Sequence, residues 1–221
     1  MPVRAVVFDL WDTIVEFRPD EGEALHRRIA ERLGVPYERF HEVWYTDDAI
    51  RSRNIGPIAP CFSAACETLG VEADVDELVG WRRELTRRAL VPREGLLDTL
   101  TGLRTRGLRV GLVSNCTEEV ADVWPETNFA DLFDSTVFSA TAGHAKPGPE
   151  IYRIAVEELS VEPSECLFVG DGANDELRGA QDVGMTPVLI HRDGEEPHWE
   201  SVRGWSGFRI TAIPQVLDLV P

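Results

Sequence analysis

Hydrophobic positions in this chain follow two rhythms. Short apolar or β-branched runs, bounded by polar residues or glycine, predict strands at RAVVFDL (4–10), LRVGLVSN (108–115), STVFS (135–139), CLFVGD (166–171) and TPVLIH (186–191). A shorter run, FRI at 208–210, predicts a sixth. Between these runs the apolar residues return at helical spacing. REGLLDTLTGLRTRG (93–107) places Leu96, Leu97, Leu100 and Leu103 on one face and stops at Gly107. PEIYRIAVEELS (149–160) and DELRGAQDVG (175–184) fill the next two intervals. Near-continuous apolar strands alternating with helices predict a parallel sheet covered on both faces, an α/β three-layer core. Ligands of such sheets bind beyond the carboxyl ends of the strands.

One interval breaks the alternation. From Glu16 to Leu90 no strand pattern occurs, and helical patterns run over 20–34, 37–54, 60–70 and 74–90. The first and last open on Asp20 and Asp74, each with a Glu three residues on, the spacing of a helix-capping box. Leu25, Ile29 and Leu33 form one apolar stripe, and Val75, Leu78, Leu85 and Ala89 another. The expected organisation is a core of residues 1–15 and 91–221 with a helical cap, 16–90, inserted after the first strand. An insert there overhangs the strand's carboxyl end, where a lid belongs.

Composition narrows the partners. The 221 residues are 43% hydrophobic, enough for a proper core. The formal net charge of −17 argues against nucleic acid and against an anionic membrane surface, both of which need a basic footprint. An anionic substrate would therefore need a bound cation or a focused basic group. Cys61, Cys66, Cys116 and Cys166 form no C-x-x-C pair, so thiols in a reducing cytosol are expected rather than disulfides or a zinc site. No apolar stretch approaches the roughly 18 residues of a membrane span. The first apolar run is short and is interrupted by Asp9 and Asp12, unlike a signal peptide. The expectation is a soluble, cytoplasmic protein.

Chemistry-bearing residues gather at predicted strand ends. The first strand delivers Asp9, Asp12 and Thr13, and the second Ser114 and Asn115. The loop before the helix at 149 carries Lys146-Pro147-Gly148-Pro149, and the fourth strand delivers Asp171, Asn174, Asp175 and Glu176. Alone, each is as readily a turn or helix cap. GDGAND departs from a dinucleotide fingerprint, because the third glycine position falls on Asp175. Together, in order along one sheet, they converge.

The set Asp9-Leu10-Trp11-Asp12-Thr13, Ser114-Asn115, Lys146-Pro147 and Gly170-Asp171, followed by Asp175 or Glu176, resembles the haloacid dehalogenase-like hydrolase superfamily. The resemblance covers essentially the whole chain, and the helical insert resembles that family's cap. It implies a Rossmann-like core and, since most members are phosphatases, hydrolysis of a small phosphorylated metabolite through an aspartyl-phosphate. Asp9 would be the nucleophile and Lys146 the catalytic cation. Thr13, Ser114, Asn115 and Lys146 would hold the phosphoryl group. Asp9, the backbone carbonyl of Trp11, Asp171 and a further acid would hold Mg²⁺, a hard cation suited to oxygen ligands. Counting forward from Asp171 favours Asp175 as that acid, and counting back from Gly179-Ala180 favours Glu176; Asp175 is preferred for the GDGAND form.

Trp11 departs from the pattern. It stands where the family places a second aspartate, the general acid–base, so the proton shuttle should be missing. Such a group typically contributes about 10²–10⁴-fold in rate. Asp12, one residue on, points to the other face of an extended chain unless a turn re-aims it. Three readings follow: a slow or leaving-group-selective Mg²⁺ phosphatase, a metal-independent 2-haloacid dehalogenase with Arg51 or Arg53 holding the substrate carboxylate, or a catalytically weak phosphate-sensing or interaction protein. Trp44, Tyr45, Arg51, Arg53 and Phe62 are candidates for the pocket wall, and WESVRGW (199–205) for an edge cover or a partner surface.

Overall fold

The computed structural model describes residues 2–191 and 199–221. Its strands are β1 (Ala5–Phe8), β2 (Arg109–Ser114), β3 (Ser135–Phe138), β4 (Cys166–Gly170), β5 (Thr186–Ile190) and β6 (Phe208–Ile210). They form one sheet in the order β3-β2-β1-β4-β5-β6, with every pairing parallel. The helices are α1 (Pro19–Leu33), α2 (Tyr37–Trp44), α3 (Asp47–Asn54), α4 (Ile58–Leu69), α5 (Val75–Ala89), α6 (Leu96–Thr105), α7 (Glu118–Val123), α8 (Ser139–Ala142), α9 (Pro149–Leu159) and α10 (Glu176–Asp182).

Alternate strand residues face opposite sides of a sheet. Val6, Phe8, Val110, Leu112 and Val169 pack with Leu96, Leu100 and Leu103 of α6 and Val120 and Val123 of α7. Ala5, Val7, Val113 and Phe168 pack with Ile151, Tyr152 and Ala155 of α9 and Leu177 and Ala180 of α10. This is the expected three-layer α/β core. Leu97, expected on the apolar face of α6, is exposed, and the stripe consists of Leu96, Leu100 and Leu103.

Helices α1 to α5 close around their own apolar cluster, in which the Trp44 ring stacks between Phe40 and Phe62 at 5.6 and 4.5 Å. Two local expectations change here. The pattern over 37–54 is two helices, because the chain turns at Tyr45-Thr46 and the Thr46 hydroxyl caps α3 by accepting from Ala49 N at 3.2 Å. Helix α1 starts on Pro19 with Arg18 as N-cap, so Asp20 lies inside its first turn, where proline is well placed and an acid favours the helix dipole. Asp74 caps α5 as expected, accepting from Glu77 N at 3.2 Å.

The helical layer is tied to the sheet domain by an ion-pair ladder between α5 and the α7 region. Its rungs are Arg82–Glu119 at 2.5 Å, Arg83–Asp122 at 2.7 Å and Arg87–Glu126 at 2.6 Å. All four cysteines are free thiols. Among the described residues no helix is long and apolar enough to cross a membrane.

Candidate active site

Strand order explains why residues far apart in sequence meet. β1 lies at the centre, with β2 on one side and β4 on the other, and Phe8 is in register with Leu112 and Val169. The residues that follow, Asp9, Ser114 and Asp171, therefore emerge along one rim. The chain runs to opposite sides of β1 at this point, which opens the crevice of a switch point.

Asp9 is buried, and its Oδ1 accepts from the Lys146 ammonium. The same ammonium donates to Glu176 Oε2 at 2.5 Å. Asn115 fixes the lysine backbone reciprocally: its Nδ2 donates to Lys146 O at 2.9 Å, and Lys146 N donates to its Oδ1 at 2.8 Å. The amide of Asn115, expected at the phosphoryl group, is thus engaged in positioning Lys146. Among the described residues the buried hydroxyls of Thr13 and Ser114 find no hydrogen-bond partner. A buried polar group left unpaired costs about 1–3 kcal/mol, so two such hydroxyls on the rim that carries Asp9 mark a place prepared for a polar guest.

Carboxylate oxygens of Asp9, Asp171 and Glu176 lie within 4.8 Å of one another. Asp175, the preferred acid in the sequence reading, is exposed and stands outside this group. The physical reason is the turn. Asn174 and Asp175 adopt left-handed conformations, with φ of 53° and 55°, which swings Glu176 inward as the first residue of α10. Gly170 makes room for it, since a Cβ there would lie 2.1 Å from Glu176 Oε1. That oxygen accepts from Gly172 N at 3.0 Å. Gly179 lets α10 approach the Lys146-Pro147 loop, because a Cβ there would meet Pro147 O at 2.6 Å. The count back from Gly179-Ala180 was therefore the informative one.

Burial pushes the Asp9 and Glu176 carboxyls up from their ordinary values, against the pull of Lys146. Burial also works against the charge of Lys146, but Asp9 and Glu176 outweigh it and hold the ammonium above its usual range. One ammonium stands against three carboxyl groups, so the donor set fits a divalent cation with oxygen ligands. Asp171 is oriented by Ala173 N, which donates to Oδ1 at 3.0 Å, and by Trp199 Nε1, which donates to Oδ2 at 2.8 Å. The segment at 199–205 thus folds over the 171–172 loop, with Val202 buried in the core; nothing in the sequence pattern had linked Trp199 to Asp171.

Asp12 has φ of 56°, and its Oδ1 accepts from Phe17 N at 3.1 Å and from Arg93 Nη2 at 3.2 Å. It closes the turn that carries Thr13. Trp11 meets Phe17 edge to face at 5.9 Å and borders a cavity of about 500 Å³ between the strand ends and the helical layer. Of the candidate wall residues, Trp44, Tyr45 and Arg53 reach this cavity. Phe62 is wholly buried among the helices, and Arg51 is exposed beside Asp48. Cys116 also borders the cavity, but burial pushes its thiol up to about 12, which removes it as a nucleophile.

A family model for haloacid dehalogenase-like hydrolases matches residues 3–184. The chain belongs to that family. A phosphatase of Mycobacterium tuberculosis (MT3486) is 31% identical over 208 residues, covering 88% of this chain and 90% of the relative. Haloacid dehalogenase-like hydrolase domain-containing protein 3 of mouse is 36% identical over 128 residues, covering 58% of this chain, and the match spans half (50%) of that relative's length. A solved phosphatase of the family from Thermococcus onnurineus shares the fold with a TM-score of 0.72 at 24% identity, over 98% of this chain and 97% of that one. The chain is accordingly a haloacid dehalogenase-like hydrolase with the family's six-stranded α/β core.

Proposed function

We propose that this hydrolase cleaves small phosphomonoesters with Mg²⁺ by transferring the phosphoryl group to Asp9. The observation that carries the reading is one constellation: a buried carboxylate paired to Lys146, two further acids within 4.8 Å, and on the same rim two buried hydroxyls without a partner among the described residues. The phosphatase name of the M. tuberculosis relative supports it. Asp9 attacks phosphorus, the P–O bond to the leaving group breaks, and water then hydrolyses the acyl phosphate and restores the carboxylate. Thr13 and Ser114 donate to phosphoryl oxygens, and Lys146 offsets their charge. Asp9, Asp171 and the backbone carbonyl of Trp11 would hold Mg²⁺, with Glu176 beside them. The ion, when bound, supplies the positive charge that a phosphate needs on a chain of net charge −17.

Proton transfer is the weak step. Trp11 has no carboxyl group to protonate the leaving oxygen, and Asp12 is engaged with Phe17 N and Arg93. Esters with acidic leaving groups should therefore turn over best. In this reading residues 16–90 form the cap that selects the substrate over a core of 1–15 and 91–221. The converging carboxylates weigh against the dehalogenase alternative, which has no use for a cation. The test is a substrate screen over aryl, acyl, sugar and alkyl phosphates and 2-haloacids, with Mg²⁺ and with chelator. Mg²⁺-dependent phosphate release is expected. Halide release in chelator would transfer the assignment to a dehalogenase, and phosphate binding without turnover would make the chain a sensor.

A further inference from the structure

Of the three carboxylates that converge at the strand ends, two are pinned by Lys146 and one is not. Asp9 and Glu176 are buried and share the Lys146 ammonium. Asp171 is partly buried, and among the described residues no cation pairs with it. A carboxylate set against two others, with water on its open side, is expected to turn outward, because like charges repel and hydration favours exposure. Here it stays, with an oxygen within 4.8 Å of ligand atoms of Asp9 and Glu176. Two N–H donors hold it: Ala173 N on Oδ1 at 3.0 Å and Trp199 Nε1 on Oδ2 at 2.8 Å. The first is a local turn bond, two residues along, that moves with its own loop. The second comes from 28 residues away and ties the carboxylate to a separate part of the fold.

The segment that carries Trp199 is itself anchored against this loop. Val202 is 2% exposed and packs in the cluster on the α9–α10 side of the sheet. Gly172 receives it closely, with φ of 91° and a Cβ position that would lie 2.3 Å from Val202 Cγ1. Ser201 Oγ donates to Gly172 O at 3.3 Å. Trp205 packs against the same cluster, and its Nε1 donates to Phe208 O at 3.0 Å. Trp199 differs from these anchors. It remains 41% exposed, so core packing does not account for a tryptophan here, and its polar edge is the part engaged. An N–H bond to a carboxylate is charge-assisted, and a carboxylate offers about four lone-pair sites, so one donor on each oxygen leaves room for a cation.

We propose that Trp199 is a positioning residue of the cation site, whose indole N–H fixes the Asp171 carboxylate in the orientation that a divalent cation meets. The inference deepens the Mg²⁺ reading of the proposed function and rests on it. It extends the site from the strand ends to a segment beyond β5. Partners that orient metal ligands typically contribute about 10- to 100-fold in metal affinity.

The test follows Mg²⁺ binding directly, on the full-length, metal-free protein. Calorimetry should give Trp199→Phe a Kd about 10- to 100-fold above the wild type, since phenylalanine keeps most of the ring and removes the donor. Trp205→Phe, in the same segment but bonded to Phe208 O, should keep the wild-type Kd. The indole region of a ¹H–¹⁵N spectrum holds one signal for each of the six tryptophans. The signal lost in Trp199→Phe should shift during a Mg²⁺ titration of the wild type, with the calorimetric midpoint. An equal Kd in Trp199→Phe and wild type, or an equal loss in Trp205→Phe, overturns the proposal and leaves the Mg²⁺ reading intact. If the wild type binds no Mg²⁺, the Mg²⁺ reading fails and takes the proposal with it, a result that the wild-type titration alone tells apart. If Trp199→Phe does not fold, the wild-type spectrum decides, with the Trp199 signal assigned through its backbone. A signal that stays in place through saturation overturns the proposal, and one that moves with the midpoint supports it.

Discussion

Two regions, a floor of charged groups at the strand ends and a roof of helical residues that line the cavity, are built on opposite plans. On the floor the charged groups are held by fixed partners. Lys146 sits between Asp9 and Glu176, Asp171 between Ala173 N and Trp199, and Asn115 grips the Lys146 backbone. These residues hang from adjacent ends of one parallel sheet, whose register places them without help from side-chain flexibility. On the roof, among the described residues, Arg53 lacks an acid and the Tyr45 proton lacks an acceptor. The roof comes from helices tied to the sheet by the α5–α7 ladder. A preorganised floor suits charge stabilisation during bond transfer. A roof with unsatisfied groups suits recognition, where the guest completes the set.

Breaking the floor at its centre should have the largest effect. Asp9→Asn removes the proposed nucleophile, and turnover should fall by about 10⁴-fold or more. Intact mass after mixing with substrate should show a phosphoryl adduct on the wild type and none on the variant. Persistence of the adduct would move the nucleophile elsewhere.

Supplying the floor with what it lacks should sharpen the contrast. Trp11→Asp should raise turnover by about 10²-fold, most for alkyl phosphates whose leaving oxygen needs a proton. The same change should shorten the lifetime of the phosphoenzyme in a quench experiment. A folded variant with unchanged or lower rates would show that residue 11 does not limit the reaction.

The two candidate acids separate by energy. Glu176→Gln leaves the buried Lys146 with one carboxylate and should cost about 3 kcal/mol in urea denaturation. Asp175→Asn, on the exposed side of the turn, should stay within about 0.5 kcal/mol. Equal costs would undo the placement of Glu176 as the inward acid.

The smallest effect concerns the roof and depends on pH. His26 is held neutral in the fold, to about 3 against 6.5 when unfolded, so its contribution is complete above 6.5 and lost as pH falls, because only the unfolded chain takes up the proton. Stability should drop by about 1.4 kcal/mol per pH unit below that point, or about 2 kcal/mol by about pH 5. His26→Asn should flatten this slope in thermal melts at pH 7 and 5. An unchanged slope would assign the acid sensitivity to other groups.

Much of the fold was legible because it is periodic. Six apolar runs and the helices between them carried their own spacing, and the strand-free interval coincides with helices α1 to α5. Where a helix began or broke was less legible. Pro19 displaced Asp20 from the cap of α1, and Thr46 divided a continuous pattern, because each junction is decided by backbone geometry over a few residues. Within the site, Asp9, Thr13, Ser114, Lys146 and Asp171 could be named from motifs at strand ends. Glu176 could be chosen over Asp175 only by giving the glycines at 170 and 179 the weight of close approach. Trp199 had no local signal, since its link to Asp171 spans 28 residues.

By itself the sequence determined the elements and the residue types that reach the rim, because hydrophobic periodicity and turn chemistry are local. The tertiary structure alone decided which acid turns inward, that Asn115 holds a lysine backbone, and that Arg53 is buried against a backbone carbonyl and two aromatic rings. Those outcomes depend on the distance between groups on different elements. Only the order of strands around β1 and the packing of α3 against its neighbours set those distances.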